Sequence, residues 1–419
     1  MDSARCFPMS VEKQIIYAGS VSAGAKASVS GQGEGIYTLC LDENGSLSRL
    51  SVIPSRNSGI ITALHHQFVY AANEEKDFGG LNGSGGGVSA YQISEDGSLT
   101  FLNSSVSYGS RTAYVCVSES GKYLLAANHG SHTTVTCSYV QDENGNWVLK
   151  RGFDDSSVAL FKLNSDGSIG ELSDLKVFKG KGYWCYGGGQ STAHIHCVKE
   201  RNGFVYAMNR GCDEIIVMKL DESDGKLEVK NRVKTRYGYA PRHADFHPFR
   251  DILYVVNENY PSVSVYKIDA EQASLCEIQL IGTMDEEYYK DRPLPSFTKP
   301  HCEEGETNTS AFGDRSAAMC SDIHISPDGK HLYVSNRRFA STGSLSVFDV
   351  HEDGTLSLKQ VFPLGGKDPR GFQVSPDGSF LIAGLIDQNL AQVFRLDEEG
   401  RIAELINELE TGSPSSFAF

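Results

Sequence analysis

Residues 252–269 read ILYVVNENYPSVSVYKID, and they contain the two kinds of strand from which the fold can be deduced. The first kind, ILYVVN (252–257), is a short apolar run that ends on an asparagine. The second kind, PSVSVYKID (261–269), alternates between apolar and polar residues, as expected of a strand with one buried face. Apolar runs of this kind occur seven times, five of them ending on an asparagine, and begin at Ile15, Phe68, Tyr123, Phe204, Ile252, His331 and Phe380.

Each repeat has the same companions, at a spacing near 50 residues that is longer in two places. An alternating strand follows each apolar run, and a tight polar turn and an outer strand follow most of these, as in EDGSLTFL (95–102). Asp-Gly turns between alternating segments are typical of β-hairpins. A further strand that ends in a turn such as SPDGK (326–330) precedes most of the runs. Seven units of four antiparallel strands predict an all-β, seven-bladed β-propeller.

The two ends of the chain predict how the propeller closes. The first unit begins directly on its second strand, at 14–19, and has no inner strand of its own. The chain ends in SPSSFAF, an extra strand with no unit left to join. We therefore expect 415–419 to supply the inner strand of the first blade. No linker separates the repeats, so we predict one domain over 1–419 with a short N-terminal lead, 1–11.

The bulk composition of the 419-residue chain excludes several classes of protein. A net charge of −15 and a pI near 5.3 are unlike a nucleic-acid binder, which normally has a basic face. No segment approaches the roughly 18 continuous apolar residues of a membrane helix, and we expect no signal peptide because residues 1–19 lack a sufficiently long apolar core after a basic start. The ten cysteines are scattered without a C-x-x-C pair, which is typical of reduced thiols. We expect a cytoplasmic protein without nucleic-acid or membrane partners; the sequence leaves the oligomeric state open.

Charged side chains are predicted to gather on one face of the propeller, near its axis. Antiparallel order places the start of each inner strand beside the end of the second strand. Arg242 and His243 begin an inner strand and Glu258 follows its partner, so these three should be neighbours. Other blades add to the same face, at second-strand ends or inner-strand starts, the residues Glu74, His129, Arg210, Arg337, His194, His196, His324 and Arg370.

The convergence of acids, bases and cations on an axial pocket is typical of a functional site. For any one position, an asparagine followed by a charge could be turn chemistry alone. Turn chemistry does not explain why arginine, histidine and glutamate share one rim. Four long segments are predicted on the same face, as insertions of a length that is usually functional or disordered: 74–87, 129–155, 179–191 and 283–321.

A metal site is one alternative for the histidines. His194 and His196 are two residues apart on a strand and should point to the same side, where His324 could join them. Zinc sites usually add a cysteine or a carboxylate at fixed spacing, and none is evident. We therefore predict structural hydrogen bonds for these histidines, and neither a metal nor a cofactor.

The chain resembles the lactonase family of seven-bladed propellers, which includes propeller-type 6-phosphogluconolactonase and the fungal carboxy-muconate lactonizing enzymes. The resemblance extends from about residue 12 to the end. It is most specific in GYAPRHADFHPFRDILYVVNENYPSVSVY (238–266), SDIHISPDGKHLYVSNR (321–337) and DPRGFQVSPDGSFLIAG (368–384). It implies a lactonase of the 6-phosphogluconolactonase type, acting in the pentose phosphate pathway on a small, anionic lactone.

The resemblance also implies roles for individual residues. The family's proposed active-site groups carry over to His194, Arg242, Glu258 and Arg337. Either Glu258 or His194 would be the general base for an attacking water, and the two arginines would stabilise the oxyanion and bind an anion. Arg370, in the segment PRGF, would contact the substrate anion. The remaining axial residues predicted to bind substrate are His196, His243, His324, Arg210 and His129.

Two other classes of function stay open. A carboxy-muconate cyclase would use the same arginines for carboxylates, and no sequence feature separates it from a lactone hydrolase. A non-catalytic interaction platform should show recurring Trp-Asp strand ends, whereas this chain has only two tryptophans. A propeller oxidoreductase or a calcium-dependent lactonase would need a cofactor or metal signature that is not found.

Overall fold

The structure, a computed structural model, describes residues 13–22, 31–131, 136–186, 189–338 and 340–419. The predicted N-terminal lead, 1–11, lies outside these ranges. Strands make up most of the described chain. They are β1 (Gln14–Ser20), β2 (Gly35–Leu41), β3 (Leu47–Pro54), β4 (Ser58–Leu64), β5 (Phe68–Asn73), β6 (Gly87–Ile93), β7 (Leu99–Val106), β8 (Thr112–Val117), β9 (Tyr123–Asn128), β10 (Thr136–Gln141), β11 (Trp147–Gly152), β12 (Ser156–Leu163), β13 (Ile169–Phe178), β14 (Ile195–Arg201), β15 (Phe204–Asn209), β16 (Glu214–Asp221), β17 (Lys226–Lys234), β18 (Pro241–Phe246), β19 (Ile252–Asn257), β20 (Ser262–Asp269), β21 (Ser274–Gly282), β22 (Ala318–Ile325), β23 (His331–Arg338), β24 (Ser344–Val350), β25 (Leu356–Pro363), β26 (Pro369–Val374), β27 (Phe380–Leu385), β28 (Leu390–Leu396), β29 (Ile402–Glu410) and β30 (Pro414–Ala418).

The strands form seven four-stranded antiparallel sheets, which confirms the predicted seven-bladed propeller. From the inside outward, the first blade is β30-β1-β2-β3 and the third is β8-β9-β12-β13. The other five blades each consist of four consecutive strands, β4–β7, β14–β17, β18–β21, β22–β25 and β26–β29.

The C-terminal strand closes the propeller, as predicted from the two chain ends. β30 pairs antiparallel with β1, with Tyr17 opposite Ala418 and Gly19 opposite Ser416. Each observed strand end lies within one residue of the prediction: β1 extends to Ser20, and β30 runs from Pro414 to Ala418. Since β30 follows β29 of the seventh blade in the sequence, its pairing with β1 joins the seventh blade to the first.

Adjacent blades are joined by apolar packing and by a recurring tyrosine. Leu125 and Leu160 of the third blade pack in one buried cluster with Val205 and Ile216 of the fourth. In five blades, a tyrosine of the second strand donates its hydroxyl to a carbonyl in the turn between the two outer strands of the next blade. These bonds run from Tyr17 to Gly97, Tyr70 to Gly167, Tyr123 to Glu222, Tyr254 to Gly354 and Tyr333 to Gly400.

The register between the inner strand and its partner shifts once in every blade. In β14 the shift falls between Ile195 and Cys197, in β18 between Pro241 and Ala244, and in β22 between Cys320 and Ile323. A β-bulge leaves the extra residues unpaired and re-aims their side chains. In β14, β18, β22 and β26, the bulged positions are those of His196, Arg242, His243, Ser321, Asp322 and Arg370. The bulges therefore decide which side chains reach the axis.

The long segments contain secondary structure of their own. β10 and β11 form a separate, exposed two-stranded hairpin within 129–155. The segment 283–321 contains a short helix, α1 (Glu286–Asp291), capped by the Asp285 carboxylate, and its last residues belong to β22. Neither element has a periodic pattern in the sequence, because both are short and polar or mixed in composition. No helix in the described part of the chain is long or apolar enough to cross a membrane.

Candidate active site on the axial face

Three arginines from different blades surround the carboxylate of Glu258. Glu258 directly follows β19, and its backbone N–H donates to the carbonyl of Ala240 at 2.9 Å, which fixes the strand end beside the start of β18. Arg337 Nη2 lies 2.5 Å from Glu258 Oε1, and Arg242 Nε lies 3.3 Å from the same oxygen. Arg210 Nε donates to Oε2. All four side chains are buried.

The neighbourhood of Arg242 and Glu258 was predicted from strand order, and the structure brings them together. Arg210, expected only as a substrate ligand, instead donates to Glu258 from a turn of 3₁₀-helix, Arg210–Cys212, that follows β15. Its Nη1 also donates to the carbonyl of Gly189 at 2.9 Å, and the ring of Phe312 covers the guanidinium at 4.8 Å. Arg210 is thus fixed by protein groups on several sides.

The cluster carries more positive than negative charge. Burial alone would raise the pKa of Glu258, but Arg210, Arg337 and Arg242 outweigh it and hold that pKa well below its usual range. Burial, together with the charge of Arg337, lowers the pKa of Arg242 to about 9, so it stays cationic at neutral pH. Three guanidinium groups facing one carboxylate form an anion-attracting region at the axis.

Four histidines form a second group beside the arginines. The rings of His129 and His194 are stacked, with centroids 4.4 Å apart. His196 meets His129 edge-on at 5.2 Å and His243 edge-on at 5.1 Å. These contacts bring together side chains from the third, fourth and fifth blades, as the strand order predicted.

His194 is held in one tautomer. Its Nδ1 lies 2.8 Å from the carbonyl oxygen of His129, an acceptor only, so Nδ1 carries the hydrogen and Nε2 carries the lone pair. Burial, and next the charge of Arg210, lower the pKa of His194 to about 3. At neutral pH His194 is therefore an uncharged imidazole with its basic nitrogen at Nε2.

His324 lies apart from the arginine cluster, and Asp322 connects it to the other histidines. Asp322 Oδ1 is 2.8 Å from His243 Nδ1, and Oδ2 is 3.2 Å from His324 Nε2. On its other side, His324 Nδ1 is 3.9 Å from Asp245. The sequence predicted His324 as a site residue but not Asp322, although an acid at the start of an inner strand is itself a signal of a functional position.

Asp322 and His324 line a cavity of about 440 Å³ in the axial channel, together with Tyr114, Lys199 and Asp245. The cavity wall also includes Pro327, Pro376 and Phe419, which follow the ends of inner strands, so it opens towards the opposite face. None of the arginines that contact Glu258 lines it. The layer that contains His243 and Asp322 therefore separates this cavity from the arginine cluster.

Arg370 faces a different acid. Its Nη2 lies 3.7 Å from Glu74 Oε2, and its carbonyl accepts a hydrogen bond from Ser321 Oγ at 2.6 Å. Arg370 and Glu74 are partly exposed, unlike Arg210. Arg370 is thus on the axial face, as predicted, but in a more open position than the cluster around Glu258.

The asparagines that end the second strands have structural roles. Asn336 Nδ2 donates to the hydroxyls of Ser344 and Ser346 on the third strand, and Asn257 Nδ2 does the same to Ser262 and Ser264. These bonds tie the second strand of each of these two blades to its third strand. These bonds do not explain the charged residue that follows each asparagine.

All four long segments contact residues of the axial face. Glu74 approaches Arg370, His129 stacks on His194, and Gly189 and Phe312 contact Arg210. The last two segments also pack together: the ring of Tyr183 stacks on that of Phe297 at 3.9 Å, and Cys302 N donates to the carbonyl of Tyr183 at 2.9 Å. Together they cover Arg210.

The described residues offer no group of three or more His, Cys, Asp or Glu side chains able to hold a metal ion. His194 and His196 both contact His129, and His324 is engaged with Asp322. The nine cysteines in the described ranges form no disulfide.

Comparison with known proteins decides the family. The family described as "Lactonase, 7-bladed beta-propeller" matches residues 15–419. The chain belongs to this family. The resemblance drawn from the sequence, and the expectation of a lactonase, are thereby confirmed.

Relatives with established names are similar at modest identity. A 6-phosphogluconolactonase of Bacillus subtilis is 26% identical over 413 residues, which cover 97% of this chain and 98% of the relative. A 6-phosphogluconolactonase of Formosa agariphila is 27% identical over 340 residues, covering 79% of this chain and 80% of the relative. Among solved structures, a periplasmic gluconolactonase of Pseudomonas aeruginosa has a TM-score of 0.75 at 21% identity, with coverage of 97% and 98%. At 21% identity, the structural similarity is evidence for the fold alone.

Proposed function

We propose that this lactonase hydrolyses an anionic sugar lactone, with 6-phosphogluconolactone as the first choice of substrate and 6-phosphogluconate as the product. One observation carries the proposal: three buried arginines converge on a single glutamate beside the axis. The excess of positive charge favours a substrate with a phosphate or carboxylate over a neutral lactone. The names of the relatives from Bacillus subtilis and Formosa agariphila support the same substrate.

His194 is proposed as the general base, and Glu258 as the group that holds the arginines. Both oxygens of Glu258 are already engaged by guanidinium groups, which leaves neither of them directed at a water. His194 is neutral and has its lone pair on Nε2. General-base assistance of this kind typically contributes about 10²–10⁴-fold to the rate.

The proposed reaction proceeds by attack of water on the lactone carbonyl. His194 Nε2 accepts a proton from the water as the new C–O bond forms, and Arg242 and Arg337 stabilise the oxyanion. The bond between the carbonyl carbon and the ring oxygen then breaks, and the ring oxygen takes the proton from His194. Arg370, the more open cation of the face, is proposed to contact the substrate phosphate.

The test is a lactone panel in a pH-stat or coupled assay: 6-phosphogluconolactone, gluconolactone and carboxy-muconolactone. We expect kcat/KM for the phosphorylated lactone to exceed that for gluconolactone by about 100-fold. Only the phosphorylated lactone carries a negative charge that the excess positive charge of the arginines attracts. Arg370→Gln should raise KM for the phosphorylated lactone and leave gluconolactone turnover unchanged. Turnover of carboxy-muconolactone alone would instead assign the site to the cyclase reaction. No turnover above spontaneous hydrolysis on the whole panel would refute the proposal.

A phosphorylated substrate would also place the protein in the pentose phosphate pathway and in the cytoplasm. Both assignments depend on the outcome of the panel, since they follow from the substrate.

A further inference from the structure

His243, at the bulge of β18, lies between a guanidinium and a carboxylate. Its Nε2 lies 3.2 Å from Arg242 Nη1, and its Nδ1 lies 2.8 Å from Asp322 Oδ1. The side chain is only 3% exposed. His243 therefore connects a carboxylate of the sixth blade to a guanidinium of its own blade.

The two contacts require the same tautomer. A guanidinium has donors and no acceptor, so Arg242 Nη1 can only donate, and His243 Nε2 must carry the lone pair. Nδ1 then carries the hydrogen and donates it to Asp322, which accepts. Burial, and next the charge of Arg242, lower the pKa of His243 to about 4, so the ring is neutral at pH 7.

Hydrogen bonds fix one nitrogen of Arg242, and an ion pair lies beside a second. Nη1 donates to His243 and to the carbonyl of Ser321, while Nε faces Glu258 at 3.3 Å. Nη2 has no hydrogen-bond partner among the described residues. The two bonds of Nη1, together with the ion pair to Glu258, orient the edge of the guanidinium that carries Nη2.

We propose that His243 is a positioning residue for Arg242, and that Asp322 sets the tautomer in which His243 can accept from it. His243 thus acts through the arginine and not on the substrate. The kinetic part of this inference rests on the proposed lactonase function, and the structural part does not.

The other neighbours of His243 leave this role intact. The rings of Tyr114 and His196 meet it edge-on, with centroids 5.2 and 5.1 Å away, and fill the space around it. The nearby charge of Arg370 adds to that of Arg242 in disfavouring a protonated ring. The second oxygen of Asp322 is occupied by His324, which holds the carboxylate from the far side.

Two substitutions of one residue separate positioning from substrate contact. In His243→Gln, the side-chain oxygen can reach the position of Nε2 and accept from Arg242. In His243→Asn, the shorter amide can replace only Nδ1, and the acceptor for Arg242 is lost. We expect His243→Gln to keep kcat for 6-phosphogluconolactone within about threefold, and His243→Asn to lower kcat about 30-fold with a smaller change in KM. Equal losses in both variants, or no loss in either, would overturn the inference.

Nitrogen-15 NMR of histidine-labelled protein tests the tautomer without any substrate. The signal missing from His243→Gln assigns the residue. We expect a protonated Nδ1 and an unprotonated Nε2 in the wild type, and a shift towards the other tautomer in Asp322→Ala. The matched control is Asp245→Asn, which changes the carboxylate on the far side of His324 and should leave the His243 signals unchanged.

The kinetics and the NMR measurement distinguish a failure of the proposed function from a failure of the positioning role. If the wild type hydrolyses no lactone on the panel but His243 shows the expected tautomer and its dependence on Asp322, the proposed function fails and the structural arrangement stands. If the lactone is hydrolysed but His243 carries its hydrogen on Nε2, or Asp322→Ala leaves the signals unchanged, the positioning role fails and the lactonase stands.

Discussion

The two faces of the propeller hold their buried polar groups in different ways. On the opposite face, five buried tyrosine hydroxyls each have one local partner, as in the bond of 2.9 Å from Tyr70 to the carbonyl of Gly167. On the axial face, three arginines share one carboxylate, that of Glu258, and each also uses groups from the long segments or the bulges. These tyrosine hydroxyls on the opposite face each have a hydrogen-bond partner of their own. The charged groups on the axial face depend on one another for charge compensation.

This difference leads to different expectations for substitutions. Loss of one hydroxyl on the opposite face should cost about the worth of one hydrogen bond and leave the rest in place. Loss of one charge on the axial face should leave buried charges uncompensated and disturb several side chains at once. The predictions below test this contrast.

Glu258→Gln is expected to have the largest effect. The amide keeps the shape but removes the charge that holds Arg210, Arg242 and Arg337 together. Since removing one partner of a buried ion pair costs about 3–5 kcal/mol, the free energy of unfolding should fall by that order. We expect kcat/KM for the phosphorylated lactone to fall by about 10³-fold, with KM raised as well as kcat lowered. Steady-state kinetics and denaturant unfolding measure both effects.

The control for Glu258→Gln is Glu74→Gln, which removes the acid beside Arg370 on the same face and should have a much smaller effect. A fall in kcat alone, with KM and stability unchanged, would instead identify Glu258 as the general base.

His194→Asn is expected to lower kcat by about 10²-fold or more with little change in KM. The asparagine amide can still donate to the carbonyl of His129, so the melting temperature should change little. Because the pKa of His194 is about 3, the wild-type rate should show no acidic limb between pH 5 and 7. Full activity in the variant would remove His194 from the mechanism.

Strand order in the sequence was sufficient to place Arg242 beside Glu258 and the C-terminal strand in the first blade. Both follow from antiparallel pairing and the count of units. The approach of Arg210 to Glu258 could not be predicted, since it depends on a 3₁₀ turn after β15 and on how neighbouring blades are rotated about the axis. Asp322 was missed because alternation along a regular strand does not show where a bulge re-aims a side chain.

Phe312→Ala is expected to have an intermediate effect. The ring covers the Arg210 guanidinium at 4.8 Å, and its removal would admit water to the ion pair with Glu258. We expect KM for the phosphorylated lactone to rise about fivefold, with kcat changed less. Phe249→Ala, at an exposed phenylalanine in the turn after β18, is the matched control and should change neither constant. An unchanged KM in Phe312→Ala would show that the segment 283–321 does not shape the pocket.

Stability should fall as the pH decreases below 6.5. His194 and His243 have pKa values of about 3 and 4 in the folded state, below the value of 6.5 for an unperturbed histidine. The unfolded chain therefore binds more protons between these limits, and stability rises with pH across that window. Below about pH 4.5 the low pKa of Glu258 adds to the loss in the same direction. Melting temperatures between pH 8 and 5 measure the trend, which should be weaker in His194→Asn; a melting temperature that rises on acidification would contradict it.

Tyr70→Phe should have the smallest effect on activity, because it breaks one bond on the opposite face. The hydroxyl of Tyr70 is buried and donates to the carbonyl of Gly167 in the turn of the next blade, where Gly167 has a φ of 80°. Removing it should lower the free energy of unfolding by about 1 kcal/mol and leave kcat and KM within twofold of the wild type. Tyr139→Phe, at a tyrosine that is 70% exposed on the hairpin of β10 and β11, should change neither stability nor kinetics. A clear loss of kcat in Tyr70→Phe would mean that the two faces are coupled through the blades, and that the local partners on the opposite face also maintain the arrangement of arginines around Glu258.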